Sequence, residues 1–174
     1  MAFLYIMNLN LIKIFKKKNI KGFTLMEAIV AIFVMTVGIV GVFSLVTQTI
    51  SASIFSKDKL IAAYLAQEGI EIVRNIRDTN WLQGLGWNSG LGASVYEAGY
   101  NYQSLFGFSG NPLKLETLTG YYGYDSGNAT KFTRKITISG GPIVDSLNVK
   151  VEVSWQEKGN TYKVEAQENL YNWK

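Results

Sequence analysis

The sequence predicts an α+β fold in which one long N-terminal helix packs on a C-terminal antiparallel sheet. Three observations carry this. Residues 28–46 read AIVAIFVMTVGIVGVFSLV without one charge; no proline or tight-turn signal interrupts the chain from Thr24 to Asp78; and the last third alternates apolar and polar residues with a period of two. The organisation that follows is a basic leader over 1–22, an apolar helix over 23–50, its amphipathic continuation over 51–78, a Gly- and Tyr-rich loop region over 79–130, and a sheet over 131–174.

The apolar helix comes first. A helix crosses the hydrocarbon core of a bilayer with about 20 predominantly apolar residues, and the 19 uncharged residues 28–46 meet that requirement. The competing reading is a helix buried inside a soluble protein, but a chain of 174 residues offers too little protein to cover such a helix on every side.

Charge is segregated along the chain. Of 17 basic residues, Lys13, Lys16, Lys17, Lys18 and Lys21 precede Gly22 with no acid among them, and the 12 that follow face 13 acidic residues, a net of −1. The overall charge of +4 therefore belongs to the leader, and nucleic-acid binding is not indicated. Lysines beside an apolar span stay on the cytoplasmic side, which predicts a single-pass topology with the N-terminus inside and the C-terminal part outside.

The chain contains no Cys and no His. Thiol chemistry, disulfides, histidine general bases and nearly all zinc sites are thereby excluded. Asp and Glu are scattered and form no evident pair, so no enzyme activity, cofactor or metal is expected.

The order of segments at the leader is unusual. A secretory signal runs basic, then apolar, then a small-residue cleavage site. Here the basic run KKKNIKG meets the candidate cut directly and the apolar helix follows it. A protease acting between Gly22 and Phe23 works at the cytoplasmic face and leaves the helix on its product. A further apolar stretch, MAFLYIM, precedes the lysines, and a start at Met7 instead of Met1 gives a shorter leader.

The segment Lys21-Gly22-Phe23-Thr24-Leu25-Met26-Glu27 resembles the processing signature of type IV prepilins, a Gly before an aromatic residue with a Glu four positions on. The resemblance implies cleavage after Gly22 by a membrane prepilin peptidase that also methylates the new amine of Phe23, with Lys21, Thr24 and Leu25 as recognition positions. It further implies assembly with other pilin subunits on an inner-membrane platform, and a pilin-like architecture. Gly22, lacking a side chain, lets the backbone enter a protease site in extended form. Phe23 supplies an apolar N-terminus for the bilayer boundary.

Glu27 is a carboxylate at the edge of a membrane segment, where charge is costly and usually functional. One reading is a helix-start acid favoured by the macrodipole, worth under about 1 kcal/mol. The other, implied by the resemblance, is that Glu27 pairs with the Phe23 amine of a neighbouring subunit as a filament grows.

Beyond Ser51 the pattern becomes amphipathic. Ile54, Ile61, Leu65, Ile72 and Ile76 recur at spacings of 7, 4, 7 and 4, and Lys57, Gln67, Glu71, Arg74, Asn75 and Asp78 fall largely outside that stripe. The uninterrupted stretch of about 55 residues amounts to roughly 80 Å of helix. Gly38 and Gly41 lie in the apolar half, where they suit close helix approach or local melting.

The loop region carries WLQGLGWNSGLG and GYYGYDSGN. Its glycines match no dinucleotide or phosphate loop. Asp125-Ser126-Gly127-Asn128 offers oxygen ligands of the kind a calcium loop uses, with a plain turn as the simpler reading. Asn128-Ala129-Thr130 fits the glycosylation sequon. Trp81, Trp87, Tyr100, Tyr102, Tyr121, Tyr122 and Tyr124 suit packing, or a binding surface.

In the last third, Phe132, Ile136 and Ile138 alternate with Thr133, Lys135 and Thr137. Leu147, Val149, Val151, Val153 and Trp155 alternate with Asn148, Lys150, Glu152 and Ser154. A Gly-containing turn at 156–160 predicts a hairpin returning over 161–171. The strings FTRKITI, VKVEVSW and LYNWK also resemble minor pilins of the PilV type, over about 45 residues. Trp173 and the low formal charge of the head suit contact with sister subunits.

The function expected from these residues is that of a minor type IV pilin, a pilus assembly or modification subunit at the cell surface. The alternatives are a pseudopilin of a type II secretion or competence DNA-uptake system, and an uncleaved single-span binding module.

Overall fold

The computed structural model describes residues 22–173. The leader lysines, Lys21 among them, and the alternative starts Met1 and Met7 lie outside the described residues. Contacts divide the chain into two compact units, one ending at Ile50 and one beginning at Ser51, and helix α1 (Leu25–Leu82) contributes to both.

Helix α1 is 58 residues long, about 87 Å at 1.5 Å per residue. Thr24 starts it. The Thr24 carbonyl accepts the Ala28 N–H at 3.1 Å, and the Thr24 hydroxyl accepts the Glu27 N–H at 3.2 Å, the N-cap arrangement that satisfies an otherwise orphaned donor. At the other end the Gly84 N–H donates to the Trp81 carbonyl at 3.2 Å and the Leu85 N–H to Asn80 at 2.9 Å. That pair of bonds, with Gly84 at φ 71°, is a Schellman cap, and it stops the helix where a residue with a side chain resists the left-handed conformation. The helix therefore ends four residues past the boundary expected at Asp78, because Gly84 rather than the Asp78-Thr79-Asn80 run supplies the stop.

In the second unit the buried face of α1 consists of Asp58, Ala62, Leu65, Ala66, Gly69, Ile70, Ile72, Val73, Ile76, Arg77 and Asn80. Leu65, Ile72 and Ile76 of the expected stripe are in it. Ile54 is exposed and Ile61 only half-buried; Phe55 packs there instead, 4.9 Å from the Tyr162 ring and 6.2 Å from Trp155. The stripe was read from large apolar residues alone, while the face that meets the sheet is built at its centre from small ones.

Eight strands follow: β1 (Ser94–Glu97), β2 (Phe106–Gly107), β3 (Lys114–Leu115), β4 (Tyr122–Gly123), β5 (Asn128–Ala129), β6 (Thr133–Gly140), β7 (Ser146–Glu157) and β8 (Asn160–Tyr171). All pair antiparallel, in a five-stranded sheet ordered β2-β1-β6-β7-β8 and a three-stranded one ordered β4-β3-β5. Strands β7 and β8 form the expected hairpin, with Glu157 opposite Asn160 across a two-residue turn. Val149, Val151 and Val153 are fully buried and Trp155 nearly so, with Ile136 opposite Val151 and Ile138 opposite Val149 on β6. The pilin-like arrangement of a long N-terminal helix packed on an antiparallel sheet is thus the fold.

The region over 79–130, expected as loop, holds the last turn of α1 and five short strands. Four of these strands are two residues long and β1 has four, so none carries enough alternation to stand out locally; their hydrogen bonds come from pairing partners distant in sequence.

Candidate functional site

The segment singled out by the sequence opens α1. Gly22, Phe23 and Thr24 precede the helix, Leu25 and Met26 begin it, and Glu27 lies in its first turn. All six are exposed, Phe23 at 69% and Met26 at 71%. A Cβ built on Gly22 meets nothing within 4 Å, so no packing within the chain demands glycine there.

Glu27 is the sole ionisable side chain between Gly22 and Lys57. Its place in the first turn sets its carboxylate at the positive end of the helix dipole. The Thr24 hydroxyl that caps the Glu27 N–H gives Thr24 a local structural role that the sequence reading did not assign. The signal was present as the spacing T-x-x-E before an apolar run, the pattern of a capping box.

From Leu25 to Ile50 the helix carries its apolar side chains outward on all sides: Ile32, Phe33, Val40 and Phe43 are each more than 60% exposed. Such a surface suits hydrocarbon rather than water, and the helix is long and apolar enough to cross a membrane. The three threonine hydroxyls in this helical stretch satisfy themselves. Thr36 donates to the Phe33 carbonyl at 2.8 Å, Thr47 to Ser44 at 2.9 Å and Thr49 to Leu45 at 2.9 Å, which removes the need for water around them. Gly38 and Gly41 stand in open space.

In the head, the Asp125–Asn128 segment joins β4 to β5. The Asp125 carboxylate accepts the Tyr102 hydroxyl at 2.7 Å, and among the described residues no group of three or more acidic side chains is placed to hold a metal. Trp81 meets Trp173 edge-on at 4.6 Å, and Tyr100 stacks on Tyr121 at 4.6 Å.

A family model for the prokaryotic N-terminal methylation motif matches residues 17–43, which spans the Gly22–Phe23 junction, Glu27 and much of the apolar helix. Searches of curated proteins and of solved structures return no significant match. The motif and the apolar helix support a prepilin-type, membrane-anchored protein. With the helix-on-sheet fold, they support a type IV pilin-like or pseudopilin protein, a class processed by a prepilin peptidase and assembled with other pilin subunits.

Proposed function

We propose that the chain is a minor type IV pilin, made as a precursor, cut between Gly22 and Phe23, N-methylated on Phe23 and polymerised through its apolar helix. The observation that carries this reading is the motif match over residues 17–43, which takes in a glycine–aromatic junction and the start of the apolar helix after it. Lys21, Thr24 and Leu25 are the peptidase-recognition positions in this reading, and Gly22 and Phe23 flank the cut. Gly22 meets no neighbour in the fold, so its value lies in the extended backbone a protease needs. The leader lysines hold the N-terminus in the cytoplasm and the head emerges on the other side.

In the filament, Glu27 accepts the methylated amine of Phe23 from the adjoining subunit. The exposed apolar surface of residues 25–50 passes from lipid to a bundle of sister helices, and the open sides of Gly38 and Gly41 admit close neighbours. The head, with its outer sheet face of paired charges, faces solvent or other subunits.

Intact-mass and N-terminal fragment spectrometry of protein purified from its native membrane tests the proposal. A mature chain beginning at methyl-Phe23 is expected. A chain that retains the leader rules the proposal out. Recovery in sheared surface filaments marks a pilus subunit, while retention of the processed chain in the envelope marks a pseudopilin.

A further inference from the structure

A polar cleft of about 230 Å³ opens in the head, lined by Tyr100, Asn101, Glu116, Tyr121, Asp125 and Ser126. Tyr100 and Tyr121 stack with their ring planes 27° apart, and Tyr121 keeps 54% of its surface exposed. Tyr100 backs it against Gly123, where a Cβ would come no closer than 3.8 Å to the Tyr100 ring. The stacked pair thus borders the cleft, with Tyr121 the more exposed of the two rings.

The two carboxylates are held in place by protein donors. Glu116 accepts the Thr119 hydroxyl at 2.7 Å on one oxygen and the Ser126 hydroxyl at 3.3 Å on the other. Asp125 accepts the Tyr102 hydroxyl at 2.7 Å on Oδ1. That bond, above all, pushes the Tyr102 hydroxyl up to about 12, so it stays a donor throughout the physiological range. An ionised carboxylate has about four acceptor positions, so both retain free lone pairs after these bonds. The Lys114 ammonium donates to the Asp125 carbonyl at 3.3 Å and offsets part of the negative charge.

A site rich in fixed acceptors calls for a ligand rich in donors. Vicinal hydroxyls of a pyranose meet a carboxylate two at a time, and the C–H face of the ring matches an exposed tyrosine face. Two carboxylates repel an acidic sugar, and the nearby ammonium weakens the field a cationic ligand would need. The volume lies below the roughly 300 Å³ at which pockets for drug-sized ligands begin, so it admits a single ring.

We propose that the cleft between Tyr121, Glu116 and Asp125 binds one neutral sugar ring, stacked on Tyr121 and held through its hydroxyls on the two carboxylates. The proposal is independent of the filament reading, since it rests on the head alone.

The experiment is saturation-transfer NMR on the full chain in a zwitterionic detergent, whose headgroup carries no sugar. The probes are the methyl glycosides of glucose, galactose, mannose and N-acetylglucosamine, each at millimolar concentration. Transfer to the ring C–H protons of at least one glycoside is expected, retained in Tyr121→Phe and roughly fivefold weaker in Tyr121→Ala. Asp125→Asn and Glu116→Gln, which keep shape but remove the charge-assisted acceptor, are each expected to weaken binding roughly tenfold. Tyr121 and Asp125 are exposed, so these variants should keep the wild-type melting temperature. No transfer to any of the four glycosides overturns the proposal, as does transfer that survives both Tyr121→Ala and Asp125→Asn. Tetramethylammonium displacing the bound glycoside at equal concentration overturns it in favour of a cation site.

Discussion

Arg134, with no exposed surface, reaches from β6 to Glu68 on α1 and donates to its carboxylate at 2.9 Å. The same guanidinium donates to the Leu65 carbonyl at 3.2 Å and to the Ala98 carbonyl, so one side chain ties together the helix, the sheet and the end of β1. Removing one partner of a buried pair leaves the other charge uncompensated, whereas an apolar replacement of the buried member releases the outer one to water. Glu68 is about one-third exposed, so it is the partner that water can recover. Glu68→Ala is expected to cost about 3 kcal/mol and Arg134→Met about 1 kcal/mol, in denaturant unfolding of the detergent-solubilised chain. Equal losses would show that the pair contributes only through packing.

Gly69 gives α1 its closest approach to the sheet. A Cβ there would lie 2.7 Å from Val151 Cγ1 and 3.2 Å from Arg134 Cδ, and Val151 is fully buried. Gly69→Ala is therefore expected to destabilise by about 1–3 kcal/mol, against the roughly 1 kcal/mol that alanine adds to a helix interior. Adding Val151→Ala should recover part of that loss, which a double-mutant cycle measures.

For Glu27, the proposed assembly role is separable from processing. Glu27→Ala is expected to be cut after Gly22 at the normal rate and to be missing from filaments. Immunoblots of sheared filaments and of membranes, run side by side, report both quantities. Incorporation at the wild-type level would leave Glu27 only its place at the helix start, worth under about 1 kcal/mol.

On the outer face of the sheet, Lys163 donates to Glu165 at 2.8 Å and to Glu152 at 3.3 Å, and Lys150 pairs with Glu165 at 3.0 Å. The Lys163 hydrogen bond, first among its causes, lowers the Glu165 carboxyl from 4.5 to about 2. A depressed folded-state value means that the stabilisation is complete above the ordinary carboxylate range and is lost as the pH falls toward 2. The melting temperature of Lys163→Gln should lie below wild type at neutral pH, and the gap should close by about pH 2. High salt should narrow the gap as well, because the network is exposed.

Trp173, just past β8, reaches back to α1. It meets Trp81 edge-on, with the ring planes 70° apart, and the Arg77 guanidinium lies 4.7 Å from the centre of the Trp81 ring. Trp173→Ala is expected to cost about 1 kcal/mol and to speed amide exchange at the end of β8, read by hydrogen-exchange mass spectrometry.

The helix and the central hairpin were legible in the sequence because their signals are local. An uncharged run and a period of two each need only neighbouring residues. The same alternation puts Arg134 in step with Phe132, Ile136 and Ile138, although the sequence reading did not single it out. What it did not show was the partner, since Glu68 lies 66 residues away. The short strands escaped for the same reason: two residues have no period.

By itself the sequence determined the segment from Gly22 to Glu27, the apolar helix behind it and the alternation of β6 to β8, all features written in contiguous residues. Tertiary structure alone decided which helix face meets the sheet, where small Ala62, Ala66 and Gly69 admit the close contact. It also decided the cleft. Tyr100 is brought beside Tyr121, and Glu116 beside Ser126, by the pairing of Leu115 with Tyr122 and with Asn128, a register set by backbone hydrogen bonds rather than by any pattern along the chain.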